Sequence, residues 1–219
     1  MQEKPVLAII GGTGALGLGL TKRWALAGYR VVIGTRSPER VKDVMPSILE
    51  ACPQADVSSA DYVSAAEQAT VVVIVVPFSS HAETLNLIRQ AVQGKVVIDA
   101  VVPLVPPKVS IVQMPSEGSA SIIAQNLLGN DVKVVGAFHN VAATKLHTQG
   151  SIDCDVLITG NDQQSRTLVL ELTSALGLRG VDAGVLQNSI AVEAMTSLLI
   201  GINRRYKVDS AGIRITGIS

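Results

Sequence analysis

A short apolar run that ends in glycines constrains this chain more than any other feature. Val6–Ile10 leads into Gly11, Gly12, Thr13, Gly14, Ala15, Leu16 and Gly17, and Ala15 to Ala27 has helical character, rich in Leu and Ala and closed by Gly28. Gly12 to Gly17 spells G-x-G-x-x-G after a predicted strand and at the start of a predicted helix, the context that gives the pattern its meaning. Gly12 permits the tight turn, Gly14 lets a pyrophosphate approach the backbone, and Gly17 lets the helix lie close to the strand. The helix start then turns unpaired N–H groups and a partial positive charge toward the phosphates.

The same alternation continues along the chain. Arg30–Gly34 is a predicted strand, and Pro38 opens a helix that Pro46 is expected to interrupt or end. Asp56–Ser58, Val71–Val76 and Val96–Asp99 are predicted strands, with helices over Asp61–Ala69 and Ala82–Val92 between them. Three prolines make VVPLVPPKVS a rigid loop. A helix over Ser119–Leu128, strands over Lys133–Ala137 and Asp155–Thr159, a helix over Asp162–Ala175 and a short strand ending at Val181–Asp182 follow. The pattern predicts an α/β protein: a Rossmann-type doubly wound, mostly parallel sheet with a small C-terminal α/β extension. Residues 1–145 are assigned to the nucleotide-binding domain and 146–219 to a small substrate and dimerisation region. The last strong element, about Ser189 to Arg204, is apolar around most of its circumference and must be covered by core packing, by a second subunit, or by both.

Composition narrows the partners. With 18 basic and 18 acidic residues the chain is neutral, which argues against nucleic acid or an anionic membrane. The longest apolar run, TVVVIVVPF, is too short to span a bilayer and reads as a buried strand. Aromatics are only 3% of residues, so the core must be aliphatic. Cys52 and Cys154 are read as two buried free thiols of a reducing, cytoplasmic protein. Their spacing suggests no metal site.

The end of the second predicted strand selects among nucleotides. NAD-binding members of this fold place an acid there to bond the ribose 2′-OH. Here the position is Thr35, followed by Arg36, with Arg40 one turn further on. A hydroxyl and two guanidinium groups suit a phosphate dianion, so the pattern predicts NADP(H).

IIGGTGALGLGL, VVIGTR and VVVIVVPF, together with PSEGSAS, GAFHNVAA, DAGVLQNS and the final apolar helix, resemble the F420H2:NADP oxidoreductase family. Its members are NADPH-dependent reductases of the deazaflavin coenzyme F420, and they usually form dimers. The resemblance implies hydride transfer between NADPH and F420, or a related flavin-like or pterin-like acceptor, as small-molecule co-substrate. It implies NADP contacts at Thr13, Gly14, Ala15 and Leu16, at Thr35, Arg36 and Arg40, at Val76, Pro77 and Phe78, and at Val102 and Pro103. The second-substrate side would comprise His139, Val141, Ala143, Asn188, Ser189 and Glu193. The sequence departs from the family at Phe78, where a Trp is common, and at Ala142, where a Pro is common.

No triad, HExxH or cysteine cluster is present, so catalysis is expected to be alignment in a dry cleft. His139, at a predicted strand end, is either a hydrogen-bonding structural residue or an acid/base. His81 and His147 are expected to be exposed or structural, and Glu193 needs a partner if buried. Two other classes share the opening turn. One is a non-catalytic NADP-binding redox-sensing module. The other is an imine or β-hydroxy acid dehydrogenase, which usually adds a long all-helical domain.

Overall fold

The computed structural model describes residues 4–148 and 150–218. The elements are β1 (Leu7–Ile10), α1 (Ala15–Leu26), β2 (Val31–Gly34), α2 (Pro38–Ala51), β3 (Val57–Ala60), α3 (Tyr62–Gln68), β4 (Val71–Ile74) and α4 (His81–Ile88). They continue as β5 (Val96–Asp99), α5 (Ala120–Leu128), β6 (Lys133–Gly136), α6 (Ala143–Leu146), β7 (Asp155–Gly160), α7 (Gln163–Ala175), β8 (Arg179–Asp182) and α8 (Ser189–Tyr206). The strands form one sheet in the order β3-β2-β1-β4-β5-β6-β7-β8. The first six are parallel. β7 joins β6 antiparallel through Gly136 and Thr159, and β8 runs parallel to β7. This is the doubly wound α/β architecture read from the alternation. Its strand order reverses between β1 and β4, which opens a crevice beyond their C-terminal ends.

Short Val/Ile runs form these strands because both faces of the sheet are covered. Leu7, Ile9, Val31, Val73, Ile98, Val135 and Ile158 pack on one face with Leu20, Trp24, Phe138 and Leu172. Ala8, Ile10, Val32, Val72, Ile74, Val97 and Val134 pack on the other with Ala65, Leu85, Ile88 and Ala124. Trp24, the sole Trp, donates its indole N–H to the Leu172 carbonyl at 3.0 Å and meets Phe138 edge-on at 5.9 Å.

α1 lies unusually close to its neighbours. A Cβ on Gly17 would sit 2.7 Å from the Gly12 Cα, and one on Gly19 would sit 2.5 Å from the Leu146 Cβ. The first contact is the helix–strand approach expected from the motif. The second receives α6, a four-residue helix with too little periodicity to be predicted.

Two local expectations are corrected. Pro46 does not end α2, which runs on to Ala51. Pro46 and Lys42 both lie on the exposed side of α2, where the loss of an N–H to the Lys42 carbonyl is least costly. Cys52 is only half-buried, because it lies just past the end of α2, whereas Cys154 is buried; both are free thiols.

α8 ends at Lys207 in the left-handed conformation, and the tail turns back beside β7. Asp155 anchors it. Its N–H donates to the Ile213 carbonyl at 2.7 Å, and its carboxylate accepts the Ile215 N–H at 2.7 Å and both arms of Arg179 at 2.8 and 2.5 Å. Gly212 is needed here, since a Cβ would lie 2.8 Å from the Cys154 Sγ. The Arg179 hydrogen bonds hold the Asp155 carboxyl below its usual range despite burial. A depressed folded pKa means stability that is complete above about pH 3.9 and lost as pH falls further. Asp155→Asn should therefore release residues 208–218 at neutral pH, read as faster amide exchange at Ile213 and Ile215 with the β1–β5 amides unchanged.

Candidate functional site

The crevice is floored by the turn between β1 and α1. Gly11 adopts φ +87°, and its N–H bonds the Gly34 carbonyl at 3.0 Å. The Gly12 N–H bonds Ile9 at 3.1 Å, and a Cβ there would lie 2.9 Å from the same carbonyl. Gly14 differs. A Cβ on it would meet only the Gly11 carbonyl, at an ordinary 3.5 Å, so its open side faces the crevice rather than the protein. Gly14 is also the N-cap of α1 and supplies no side-chain cap, which leaves the first-turn N–H groups of Ala15, Leu16 and Gly17 for a ligand. Thr13, Gly14, Ala15 and Leu16 are all at least partly exposed there.

At the end of β2, Thr35 is buried and its hydroxyl accepts the Ser37 N–H at 3.1 Å, shaping the turn into α2. Arg36 and Arg40 are exposed, and among the described residues neither forms a salt bridge. The sequence placed no acid here, and the structure leaves two uncommitted guanidinium groups beside a helix start. A cradle open at Gly14 and two free arginines fit an NADP-type dinucleotide.

Val76, Pro77 and Phe78 leave β4 in a short 3-10 turn that runs into α4. Val102 and Pro103 follow β5. Both segments hang on Asp99, the last residue of β5, which is fully buried. Asp99 Oδ2 lies 2.8 Å from His81 Nε2, and Oδ1 accepts the Val101 N–H at 3.0 Å. Burial alone would lower the His81 pKa, but the charge and hydrogen bond of Asp99, with a further contribution from Glu193, raise it above the ordinary histidine value. His81 is therefore structural, not exposed.

The segment after β6 forms the next wall. Phe138 has φ +66°, a costly conformation for a non-glycine residue, and its ring is anchored on Trp24. His139 and Asn140 are buried. The Asn140 amide donates to the Val192 carbonyl at 3.0 Å and the Thr196 hydroxyl at 3.1 Å, and that hydroxyl donates to the His139 carbonyl at 2.8 Å. The segment is thus stitched to α8. A cavity of about 200 Å³ lies between them, lined by His139, Val141 and Ala143 together with Thr196, Ile200 and Asp209.

The other expected second-substrate residues lie elsewhere. Asn188 is exposed and donates to the Ala183 carbonyl at 2.6 Å. The Ser189 hydroxyl lies 2.7 Å from that of Ser119, the N-cap of α5. Glu193, fully buried, caps the same helix by accepting the Ala120 N–H at 2.7 Å, the Ser121 N–H at 3.0 Å and the Ser121 hydroxyl at 2.7 Å. Its Oε1 lies 3.7 Å from His139 Nε2. Burial, then the charge of Asp99, raise Glu193 to about 7, while burial lowers His139 to about 4. The approach is therefore not an ion pair at neutral pH. His147 bonds the Ala15 carbonyl at 3.0 Å.

Sequence reasoning passed over Asp99 and the role of His81. A carboxylate closing the apolar run VVID was the available signal, because a charge buried at a strand end needs a partner. A larger hollow of about 470 Å³ between α1 and α6 contains none of the predicted residues. Its Arg23 is already committed to five backbone carbonyls. Among the described residues no cluster suits a metal ion and no helix is long and apolar enough to cross a membrane.

Fold and cleft together define a dinucleotide-binding protein of the doubly wound class. A family model described as NADP oxidoreductase, coenzyme F420-dependent, matches residues 6–103. The F420-dependent NADP reductase of Methanothermobacter marburgensis is 36% identical over 97% of this chain and 98% of its own. That of Methanocaldococcus jannaschii is 34% identical over 97% and 98%. A crystal structure from Arthrobacter sp. FB24, assigned as an F420-dependent NADP reductase, superposes with a TM-score of 0.78 over 96% of this chain and 98% of that one; at 22% identity it speaks for the fold alone. The chain belongs to the F420-dependent NADP reductase family. After β6 it continues as α6, β7, α7, β8 and α8, which differs from the long all-helical arrangement expected of an imine or β-hydroxy acid dehydrogenase.

His139 and Glu193 oppose each other in their pH linkage. His139, depressed, contributes stability that is full above about pH 6.5 and lost as pH falls toward 4. Glu193, raised, contributes stability that is full below about pH 4.3 and lost as pH rises toward 7. In urea unfolding, Glu193→Gln should gain stability relative to wild type as pH rises from 4.5 to 7.5 and His139→Asn should lose it, each by on the order of 3 kcal/mol. Equal slopes in the two variants would contradict these assignments.

Proposed function

We propose that this chain transfers hydride between NADP(H) and coenzyme F420, as the names of its relatives describe for them. The observation that carries the cofactor is the end of β2, where Arg36 and Arg40 are exposed and free of salt bridges among the described residues. Charge-assisted bidentate contacts to a 2′-phosphate are what such residues supply. Gly12, Thr13, Gly14, Ala15, Leu16 and Gly17 would hold the pyrophosphate, and Val76, Pro77, Phe78, Val102 and Pro103 the nicotinamide end. His139, Val141 and Ala143 would face the deazaflavin, while Ser189 and Glu193 fix α8 against α5 behind them and Asn188 caps the turn before α8. NADPH supplies a hydride and F420 is the acceptor. The protein's own task is to hold the two rings in register and exclude water, with the apolar side chains of Val76, Phe78 and Val141 forming dry walls.

In this reading residues 1–145 bind the nucleotide and residues 146–219 shape the second site and the dimer contact. Leu198, Ile202 and Tyr206 repeat every fourth residue along one exposed stripe of α8, the kind of face a second copy would cover. The free thiols support a cytoplasmic setting.

Purified protein should oxidise NADPH with F420, seen as loss of the deazaflavin absorbance. Arg36→Ala should weaken NADPH binding by about 2 kcal/mol and leave NADH binding nearly unchanged. Turnover with another acceptor but not F420 would reject the substrate, and equal losses for both nucleotides would reject the phosphate contact. Sedimentation should give a dimer that Leu198→Asp converts to monomer; a monomeric wild type would remove α8 as an interface.

A further inference from the structure

A carboxylate and an imidazole are paired inside the sheet, at the strand ends that border the crevice. Asp99 ends β5 and is fully buried, and His81 opens α4 and is 1% exposed. The same three elements, β4, β5 and α4, otherwise contribute Ile74, Val97, Leu85 and Ile88 to one apolar cluster. A buried polar pair adds little stability that apolar side chains of similar volume would not supply. What it adds is direction, because a satisfied hydrogen bond fixes where each partner lies.

Both ends of this pair act on segments beyond the strands. Asp99 Oδ1 accepts the Val101 N–H at 3.0 Å, at the start of the run that carries Val102 and Pro103. Asp99 Oδ2 lies 2.8 Å from His81 Nε2. His81 in turn bears on Phe78. Its backbone N–H donates to the Phe78 carbonyl, and the two rings stand 6.1 Å apart, centroid to centroid, tilted by 32°. Aromatic side chains attract at such a separation. Phe78 is half-buried and packs on the apolar cluster, so His81 backs a side chain that solvent still reaches.

We propose that His81 is a positioning residue for hydride transfer: tied to Asp99, it backs the Phe78 ring and fixes the wall on which the nicotinamide would lie. The inference rests on NADPH being the hydride carrier of the cleft. His81 and Asp99 are buried and would touch neither reacting ring, so their effect passes through Phe78 and the Val101–Pro103 run. A carboxylate only accepts, so Nε2 carries the hydrogen of this bond, while Nδ1 has no hydrogen-bond partner. The tie therefore depends on one atom. A Gln at this position carries its amide nitrogen three bonds from Cβ, as Nε2 is, and can donate to Asp99. An Asn carries its own at the distance of Nδ1, one bond short. Leu fills the space and offers no donor.

Single-turnover hydride transfer from NADPH to F420, followed by deazaflavin absorbance, tests the role together with NADPH binding to the full chain. His81→Asn and His81→Leu should slow transfer about tenfold to a hundredfold with the NADPH Kd within about threefold of wild type, and His81→Gln should restore the rate to within about threefold, because a misplacement on the order of 1 Å is enough for such a loss. Wild-type rates in His81→Asn and His81→Leu would overturn the proposal, as would equal losses in His81→Gln and His81→Asn, or a loss of affinity in step with the rate. Should neither His81→Asn nor His81→Leu fold, Phe78→Leu, which leaves the Asp99–His81 pair in place, must slow transfer instead. An unchanged rate there would leave His81 no ring to position and would overturn the proposal. If the wild type binds NADPH and does not turn over F420, the functional reading fails and the bound nucleotide still decides the positioning claim. The fluorescence lifetime of bound NADPH, which shortens as the nicotinamide gains freedom, should fall in His81→Asn and recover in His81→Gln. Equal lifetimes in wild type and His81→Asn would overturn it.

Discussion

The close approach of α1 to the sheet is the constraint on which the rest of the molecule depends. With no Cβ on Gly17, the helix comes so near the β1 turn that an alanine there would overlap the Gly12 Cα at 2.7 Å. That approach fixes where the N-terminus of α1 points, and so where a phosphate can be bound by unpaired N–H groups. It also brings Gly19 against α6 and Trp24 against Phe138. The αL residue that opens the proposed second-substrate wall is held by the same helix that would cradle the phosphates. One packing contact thus sets the distance between the two ends of the cleft.

Electrostatics divides the cleft in two. Its proposed nucleotide end is exposed, with Arg36 and Arg40 free of salt bridges among the described residues, so binding there would depend on charge that solvent can reach. Its far end is buried and rich in titratable groups whose partners are internal. Asp99 and Glu193 are both carboxylates in a low-dielectric region, and each persists because backbone N–H groups, a histidine or a hydroxyl satisfy its oxygens. Such networks rigidify what they join when fully satisfied. His139 has neither ring nitrogen hydrogen-bonded, and His81 is bonded through Nε2 alone.

The legibility of the sequence follows the range of the interactions. β1, β2, β4 and β5 were readable because each is a local run of Val and Ile bounded by turns. The starts of α3, α5 and α7 at Asp61, Ser119 and Asp162 were legible because what begins each helix is a local contact, a side-chain cap within three residues. Pro46 misled because its effect depends on which side of α2 meets solvent, which no local pattern states. α6 is one turn long, held by packing on Gly19 and not by propensity. The tail strap on Asp155 and the Glu193 cap on α5 join residues about 60 and 70 positions apart, so only the fold makes them partners.

The same distinction explains why the two substrates are unequally inscribed. The proposed 2′-phosphate contacts, Thr35, Arg36 and Arg40, fall within one short stretch of sequence positioned by a strand end and a helix start. The acceptor side is assembled from the segment after β6, from α8 and from the tail, which meet around a cavity of about 200 Å³. Its lining mixes the aliphatic Val141, Leu199 and Ile200 with the polar His139, Asn140, Thr196 and Asp209, and Asn140 and Thr196 also tie the segment after β6 to α8. In such a wall a residue matters for the position it imposes on another, so its importance is visible only as a hydrogen bond across the fold. Glu193 shows this in one side chain. In the sequence it is an acid stranded on an apolar helix, and in the structure it is the tie between α8 and α5.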